Sequence, residues 1–339
     1  MSGPSRRRKS GSRPSELIHQ LNQRYYEQWR RAEQLERELC EARLRWVGPW
    51  IALARGVRRL LGGRRLDPAT QVEIPPCQIL DEGNARPCGR VSIIIPFRDQ
   101  PELLRRCLGS LRDTDYADRE LVLVDHASRE PRTLRYLDKL SDRPSTLVVA
   151  QDGPFNFSRL CNAGAAQATG DYLLFLNNDT EIMHPDWLDR MLAVAQRSDV
   201  GAVGATLLYA DDTIQHAGVY QGPTGRWVHV YRGLPADHRG QLDELGHVRA
   251  VPAITGACML VRRGLFEAVG GFDERYPVTY GDVDLCRRLQ GRDLHVVVTP
   301  HARLLHHEGL SRGFSGDRPG AEHLSALDQF PTSASREDR

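Results

Sequence analysis

The chain has 339 residues, 40% of them hydrophobic and 27% charged, which suits a globular protein with a sizeable core and excludes a wholly disordered one. Its 46 basic and 44 acidic residues leave a formal charge of +2, so no global positive field calls for a nucleic-acid partner. Lys9 and Lys139 are the only lysines, which excludes a P-loop lysine and leaves little choice for Schiff-base chemistry.

Residues 1–14 are dominated by Ser, Gly, Pro and Arg and read as a disordered basic tail. Residues 15–65 read as a helical extension. Leu17, Leu21, Tyr25, Trp29, Ala32, Leu35, Leu39 and Ala42 recur every three or four residues, close to a heptad. Pro49 opens a second helix, with Trp50, Ile51, Ala54, Val57, Leu60 and Leu61 on one side and several Arg around them. A basic amphipathic helix over 50–65 suits peripheral contact with an anionic membrane surface, or else covers the main domain. Residues 66–90, with several Pro and Gly, read as a linker.

From residue 91 the rhythm changes. Val91–Ile95, Leu121–Val124, Thr146–Ala150 and Tyr172–Leu176 are short apolar strands. Helical patterns follow each: Leu103–Leu111, Leu134–Leu140, about Ser158–Ala168 and about Pro185–Arg197. That alternation predicts an α/β fold with a mostly parallel sheet covered on both faces. Beyond Val200 the alternation loosens, as expected of segments that build an acceptor pocket. The last 26 residues, 314–339, read as a flexible tail.

The seven Cys form no C-x-x-C pair. Their odd number and apolar settings suit reduced thiols in a cytosolic protein, ahead of a zinc site on Cys77 and Cys88. Arg6–Lys9 is followed by polar residues, unlike a secretory leader, and no run of about 20 apolar residues occurs. A soluble or membrane-surface protein is expected.

Ligands in open α/β sheets sit outside the carboxyl ends of the strands. Those ends carry Pro96-Phe-Arg-Asp99, Asp125-His-Ala-Ser128 and Asn177-Asn-Asp179. No G-x-G-x-x-G follows the first strand, which argues against a dinucleotide oxidoreductase. The stretches Val91-Ser-Ile-Ile-Ile-Pro96, Leu123-Val-Asp125, Asn162-Ala-Gly164 and Gly170 through Thr180 resemble the family 2 glycosyltransferases. So do Gly201-Ala-Val-Gly204, Asp212-Thr-Ile-Gln-His-Ala-Gly218, Thr255-Gly-Ala257, Gly270-Gly-Phe-Asp273, Asp282-Val-Asp-Leu-Cys286 and His306-His-Glu308. The likeness covers about 91–313 and is nearest to bacterial enzymes that elongate surface polysaccharides, many of them rhamnosyltransferase-like.

The resemblance implies a GT-A fold and inverting, metal-dependent transfer of a hexose or deoxyhexose from a nucleotide-diphosphate donor to a glycan or lipid-linked glycan. Asp179 matches the last acid of the family's D-x-D motif and is the leading ligand for Mn²⁺ or Mg²⁺, while Asn177 and Asn178 replace the preceding acids. By the resemblance, counting back from Ser311, His306 is favoured over His307 to complete the metal or diphosphate site, and adjacent residues on extended chain face opposite ways, so one of the two is expected there. Asp282 matches the expected base position. Gly281 replaces the family's Glu there, which leaves Asp284 open as the alternative. Pro96, Asp99, Asp125, Asn162, Asn177, Asn178 and Arg312 are expected on the donor side. Asp125 is expected to meet the base or ribose, and Arg312 the phosphate from a mobile flap. The expected location is cytoplasmic, at the inner face of the inner membrane. The lost acids keep one rival reading open, an inactive scaffold that binds glycan or nucleotide sugar.

Overall fold

The computed structural model describes residues 77–307, apart from 84–85, 223–224 and 241–242. The expectations for the basic tail, the helical extension, Arg312 and the C-terminal tail therefore lie outside the described residues. Among the described residues no helix is long and apolar enough to cross a membrane.

The first half follows the predicted alternation. β1 (Val91–Phe97), α1 (Pro101–Ser110), β2 (Arg119–Asp125), α2 (Pro131–Ser141) and β3 (Thr146–Ala150) lead into α3 (Phe157–Gln167) and β4 (Tyr172–Leu176). Proline opens both α1 and α2, where its missing N–H has no intrahelical partner to lose. Asn156 caps α3 by accepting from the Arg159 N–H through its side chain.

The second half comprises β5 (Thr180–Ile182), α4 (Trp187–Ala195), β6 (Val200–Leu208), β7 (Ile214–His216), β8 (Val219–Gln221) and β9 (Trp227–His229). After these come β10 (Arg249–Ala250), β11 (Cys258–Arg262), α5 (Arg263–Ala268), α6 (Gly281–Gln290) and β12 (His295–His306).

The main sheet runs β10-β12-β6-β11-β4-β1-β2-β3, with β5 added to β12 and β7 to β6. β3, β2, β1 and β4 pair in parallel, as do β6 and β12. β11 runs antiparallel to both β4 and β6, so the sheet is mixed across its middle. Period-two alternation along the central strands feeds two cores. Ile93, Ile95, Leu174 and Leu176 join one with Trp187 of α4, and Ile94, Val122, Val124 and Phe175 join the other with Phe272 and Leu285.

Gly164 shows how tightly α3 lies on the sheet. A Cβ there would stand 2.5 Å from Ile94 Cγ2 and 2.8 Å from Val124 Cγ2. Gly164→Ala is therefore expected to lower stability by about 1–3 kcal/mol in urea denaturation, the usual range for overpacking.

Glu120 of β2 accepts from the Ser92 hydroxyl, the Thr169 N–H and hydroxyl, and the Arg90 guanidinium. Burial pushes its pKa up, but these hydrogen bonds outweigh that and bring it from 4.5 down to about 2. The folded value lies below the unfolded one, so this contribution is present above 4.5 and fades as pH falls towards 2. Glu120→Gln should therefore be less stable than the parent at about pH 6, with the gap narrowing at about pH 3.

Part of the predicted linker is docked on the domain. Ile79 bridges Arg249, Leu80 N–H donates to Val248 O at 2.8 Å, and the Leu80 side chain is buried. The physical reason is that the short β10 leaves an edge whose backbone groups need partners, and Leu80 adds apolar cover.

Candidate active site

The carboxyl end of β4 delivers Asn177, Asn178 and Asp179, and β5 begins at the next residue. β5 pairs antiparallel with the end of β12, with His306 opposite Thr180, and the His307 N–H donates to Asp179 O at 2.9 Å. Two segments remote in sequence thus meet side by side. His306 Nε2 lies 3.2 Å from Asp179 Oδ1, and both side chains are buried. His307 turns the other way, with Nε2 2.6 Å from Glu181 Oε1. Of the two histidines, His306 is the one that shares a pocket with Asp179.

Three amides surround this pair. Asn177 Nδ2 lies 3.3 Å from His306 Nε2, and Gln215 Oε1 lies 3.3 Å from His306 Nδ1. The buried Asn178 Nδ2 has no hydrogen-bond partner among the described residues. That leaves a donor available for a ligand oxygen, since a buried N–H without a partner is costly.

These residues fit a divalent cation. Adjacent ligands about 2.1 Å from an octahedral ion stand about 3 Å apart, close to the Asp179–His306 separation. A carboxylate with an imidazole suits Mn²⁺ in particular. Among the described residues no group of three or more His, Cys, Asp or Glu could hold a metal, so a cation here would need phosphate oxygens or water besides this pair.

α6 presents the two candidate bases differently. Asp282 Oδ2 accepts from the Gly256 N–H at 2.9 Å, and Oδ1 from the Val283 N–H at 2.9 Å. It thereby faces the Thr255–Ala257 loop, whose Ala257 O accepts from the Asn177 N–H. Asp284 instead holds Arg288 at 2.6 Å, one turn along the helix, and Arg288 also donates to Val269 O. Asp284 therefore anchors α6 to the end of α5. Gly281 has a local cause: a Cβ there would stand 2.6 Å from Ser158 Oγ, which donates to Tyr276 O. The family's Glu has no room at that position.

The nucleotide-side candidates are spread over the neighbouring strand ends. Asp125 closes β2, is 8% exposed, and accepts from the Ser128 N–H at 3.2 Å. Asp99 Oδ1 accepts from the N–H groups of Arg129 and Glu130, both at 2.7 Å, so it ties the β1 end to the loop that opens α2. Pro96 is buried within β1 opposite Val124. His126 is buried too, with Nε2 2.9 Å from Gly153 O and its ring edge-on to Phe155. Asn162 uses both ends of its amide on the Phe272 backbone, at 2.9 Å each, and also donates to Glu274. Asn162 thus clasps α3 to the loop after α5.

A sheet parallel through its first four strands, with an acid, an amide pair and a distant histidine gathered at one edge of the strand ends, defines a GT-A glycosyltransferase. Residues 92–270 match the family described as "Glycosyl transferase family 2", and the chain belongs to that family. It is 41% identical over 275 residues to the O-antigen biosynthesis protein RfbC of Myxococcus xanthus, covering 79% of this chain and 21% of that protein. It is 33% identical over 172 residues to N-acetylglucosaminyl-diphospho-decaprenol L-rhamnosyltransferase of Mycobacterium tuberculosis, covering 46% of this chain and 52% of that one. The chain thus spans a fifth to about half of the length of these curated relatives. Two solved structures share the fold. GalNAc-T7 with UDP, GalNAc and Mn²⁺ gives a TM-score of 0.57 at 17% identity, over 68% of this chain and 45% of that one. The mannosyltransferase PcManGT of Pyrobaculum calidifontis, with GDP-Man and Mn²⁺, gives 0.52 at 16%, over 81% and 69%.

Proposed function

We propose that this glycosyltransferase moves a hexose or deoxyhexose, with inversion, from a nucleotide-diphosphate donor onto a growing surface glycan or its lipid-linked precursor. The observation that carries this reading is the Asp179–His306 pair at the strand ends, together with Asp282 fixed on the neighbouring loop. The name of the Mycobacterium tuberculosis relative supports rhamnose as the first donor sugar to try.

Asp179 and His306 would hold a divalent cation, which when bound would supply Lewis-acid stabilisation of charge on the leaving diphosphate. Asp125 meets the ribose or base at the end of β2. Asn178 offers its buried N–H to a sugar or phosphate oxygen. Asp282 accepts the proton of the acceptor hydroxyl as that oxygen bonds to the anomeric carbon. The bond from that carbon to the phosphate oxygen breaks, and the nucleoside diphosphate leaves with the electron pair. The two backbone N–H groups on Asp282 hold its carboxylate in place, which is what a positioned base requires.

The test is release of nucleoside diphosphate across a panel of dTDP-, UDP- and GDP-sugars, with lipid-diphosphate and glycan acceptors, in Mn²⁺, Mg²⁺ or EDTA. Metal-dependent release from one donor is expected. Nucleotide-sugar binding with no release under any combination would favour an inactive scaffold.

A further inference from the structure

Gln215 lies within the Asp212–Gly218 stretch and takes no direct part in the transfer chemistry. It is 2% exposed and sits on β7, a three-residue strand at the edge of β6. The β6–β7 register places Leu207 opposite His216 and Leu208 opposite Ile214. Two residues on β6 therefore face three on β7, and Gln215 is the extra one in a β-bulge. Bulges re-aim the side chain of the extra residue. Here that side chain reaches across to β12, where Oε1 lies 3.3 Å from His306 Nδ1. β12 pairs with β6 beside this point, with Leu305 opposite Leu208, so β6 aligns the strands that carry both partners.

The two amide contacts on the ring nitrogens are compatible with one tautomer. A carbonyl oxygen can only accept, so the Gln215 contact requires a proton on Nδ1. An amide nitrogen can only donate, so Asn177 Nδ2 at 3.3 Å requires a lone pair on Nε2. The Asp179 carboxylate draws a proton towards Nε2 instead, and the two amides oppose that pull. A histidine binds a metal through a lone pair, and the hydrogen bond at its other nitrogen decides which atom offers it.

We propose that Gln215 is a positioning residue, which holds the His306 imidazole with its proton on Nδ1 so that the Nε2 lone pair faces Asp179. This rests on the metal-site reading above. It also gives Asn177 a reason to differ from the family's acid: a carboxylate there would favour a proton on the very nitrogen that must stay bare.

The test uses the full chain and Mn²⁺ alone, with free Mn²⁺ followed by electron paramagnetic resonance. Gln215→Met keeps the bulk and loses the acceptor, and should weaken Mn²⁺ binding about 10–100-fold, as loss of such an outer partner does. Gln215→Glu keeps an acceptor oxygen and should bind at or above the parent level. Equal weakening in both variants would reduce Gln215 to a packing role and overturn the proposal, as would unchanged binding in Gln215→Met. Failure of the parent to bind Mn²⁺, or binding unaffected by His306→Ala, would instead remove the metal-site reading on which the proposal stands. A second measurement needs no substitution. Ring ¹⁵N shifts of His306 in the Mg²⁺-saturated parent should show the proton on Nδ1, and a proton on Nε2 or on both nitrogens overturns the proposal.

Discussion

Asp179→Ala should cut kcat/KM for sugar transfer by about 10³-fold or more, with no recovery at raised Mn²⁺ or Mg²⁺. The size of the effect follows from how few ligands this chain supplies. Asn177 and Asn178 stand where further acids are expected, and amide oxygens are poorer metal ligands than carboxylates. Among the described residues nothing forms a larger cluster of metal-capable side chains around Asp179. Removing its carboxylate leaves His306 as the single protein ligand of the pair. The fold should survive the change, because the Asp179 backbone oxygen still accepts from the His307 N–H and the β5–β12 pairing is kept. An unchanged melting temperature with lost turnover is the expected pair of results. Metal-dependent turnover within tenfold of the parent would place the cation elsewhere.

The two halves of the site differ in how well they can be read from the chain. β1, β2, β3 and β4 are local apolar runs bounded by polar strand ends, so hydrophobic pattern alone puts Asp125 and Asp179 at the ligand edge. α6 is legible for the same reason, since Leu285 and Leu289 share a face and Asp282 and Asp284 open the helix. What separates those two acids is a pair of contacts, one to Arg288 a turn away and one to the remote Gly256 N–H. The first is a local spacing that the sequence displays. The second depends on how the Thr255–Ala257 loop packs.

The Gln215–His306 contact is harder still, because it needs a bulge and a non-local pairing of β6 with β12. Hydrophobic period sets which face of a strand is buried, but not which remote strands become neighbours or where a bulge falls. The clasp of Asn162 on the Phe272 backbone is also beyond hydrophobic pattern, because it joins α3 to a loop remote in sequence. The docking of Leu80 is likewise hidden, because proline and glycine around it mimic a free connector.

Asp282→Asn should lower kcat by about 10²–10⁴-fold while leaving donor KM within a few-fold, since a positioned base acts on the acceptor hydroxyl in the transition state. Asparagine keeps an oxygen for the Gly256 N–H, so the Thr255–Ala257 loop should hold its place and the melting temperature should barely move. Asp284→Asn makes the contrasting case. It weakens the pair between buried Asp284 and part-exposed Arg288, and losing such a charged hydrogen bond commonly destabilises by about 1–3 kcal/mol. The expected pattern is therefore a stable, slow Asp282→Asn chain beside a less stable Asp284→Asn chain whose folded fraction turns over near the parent rate. Because α6 carries both acids, exchanging the two outcomes would move the base one face around the helix. Near-parent turnover in both variants would leave proton removal to a group outside α6.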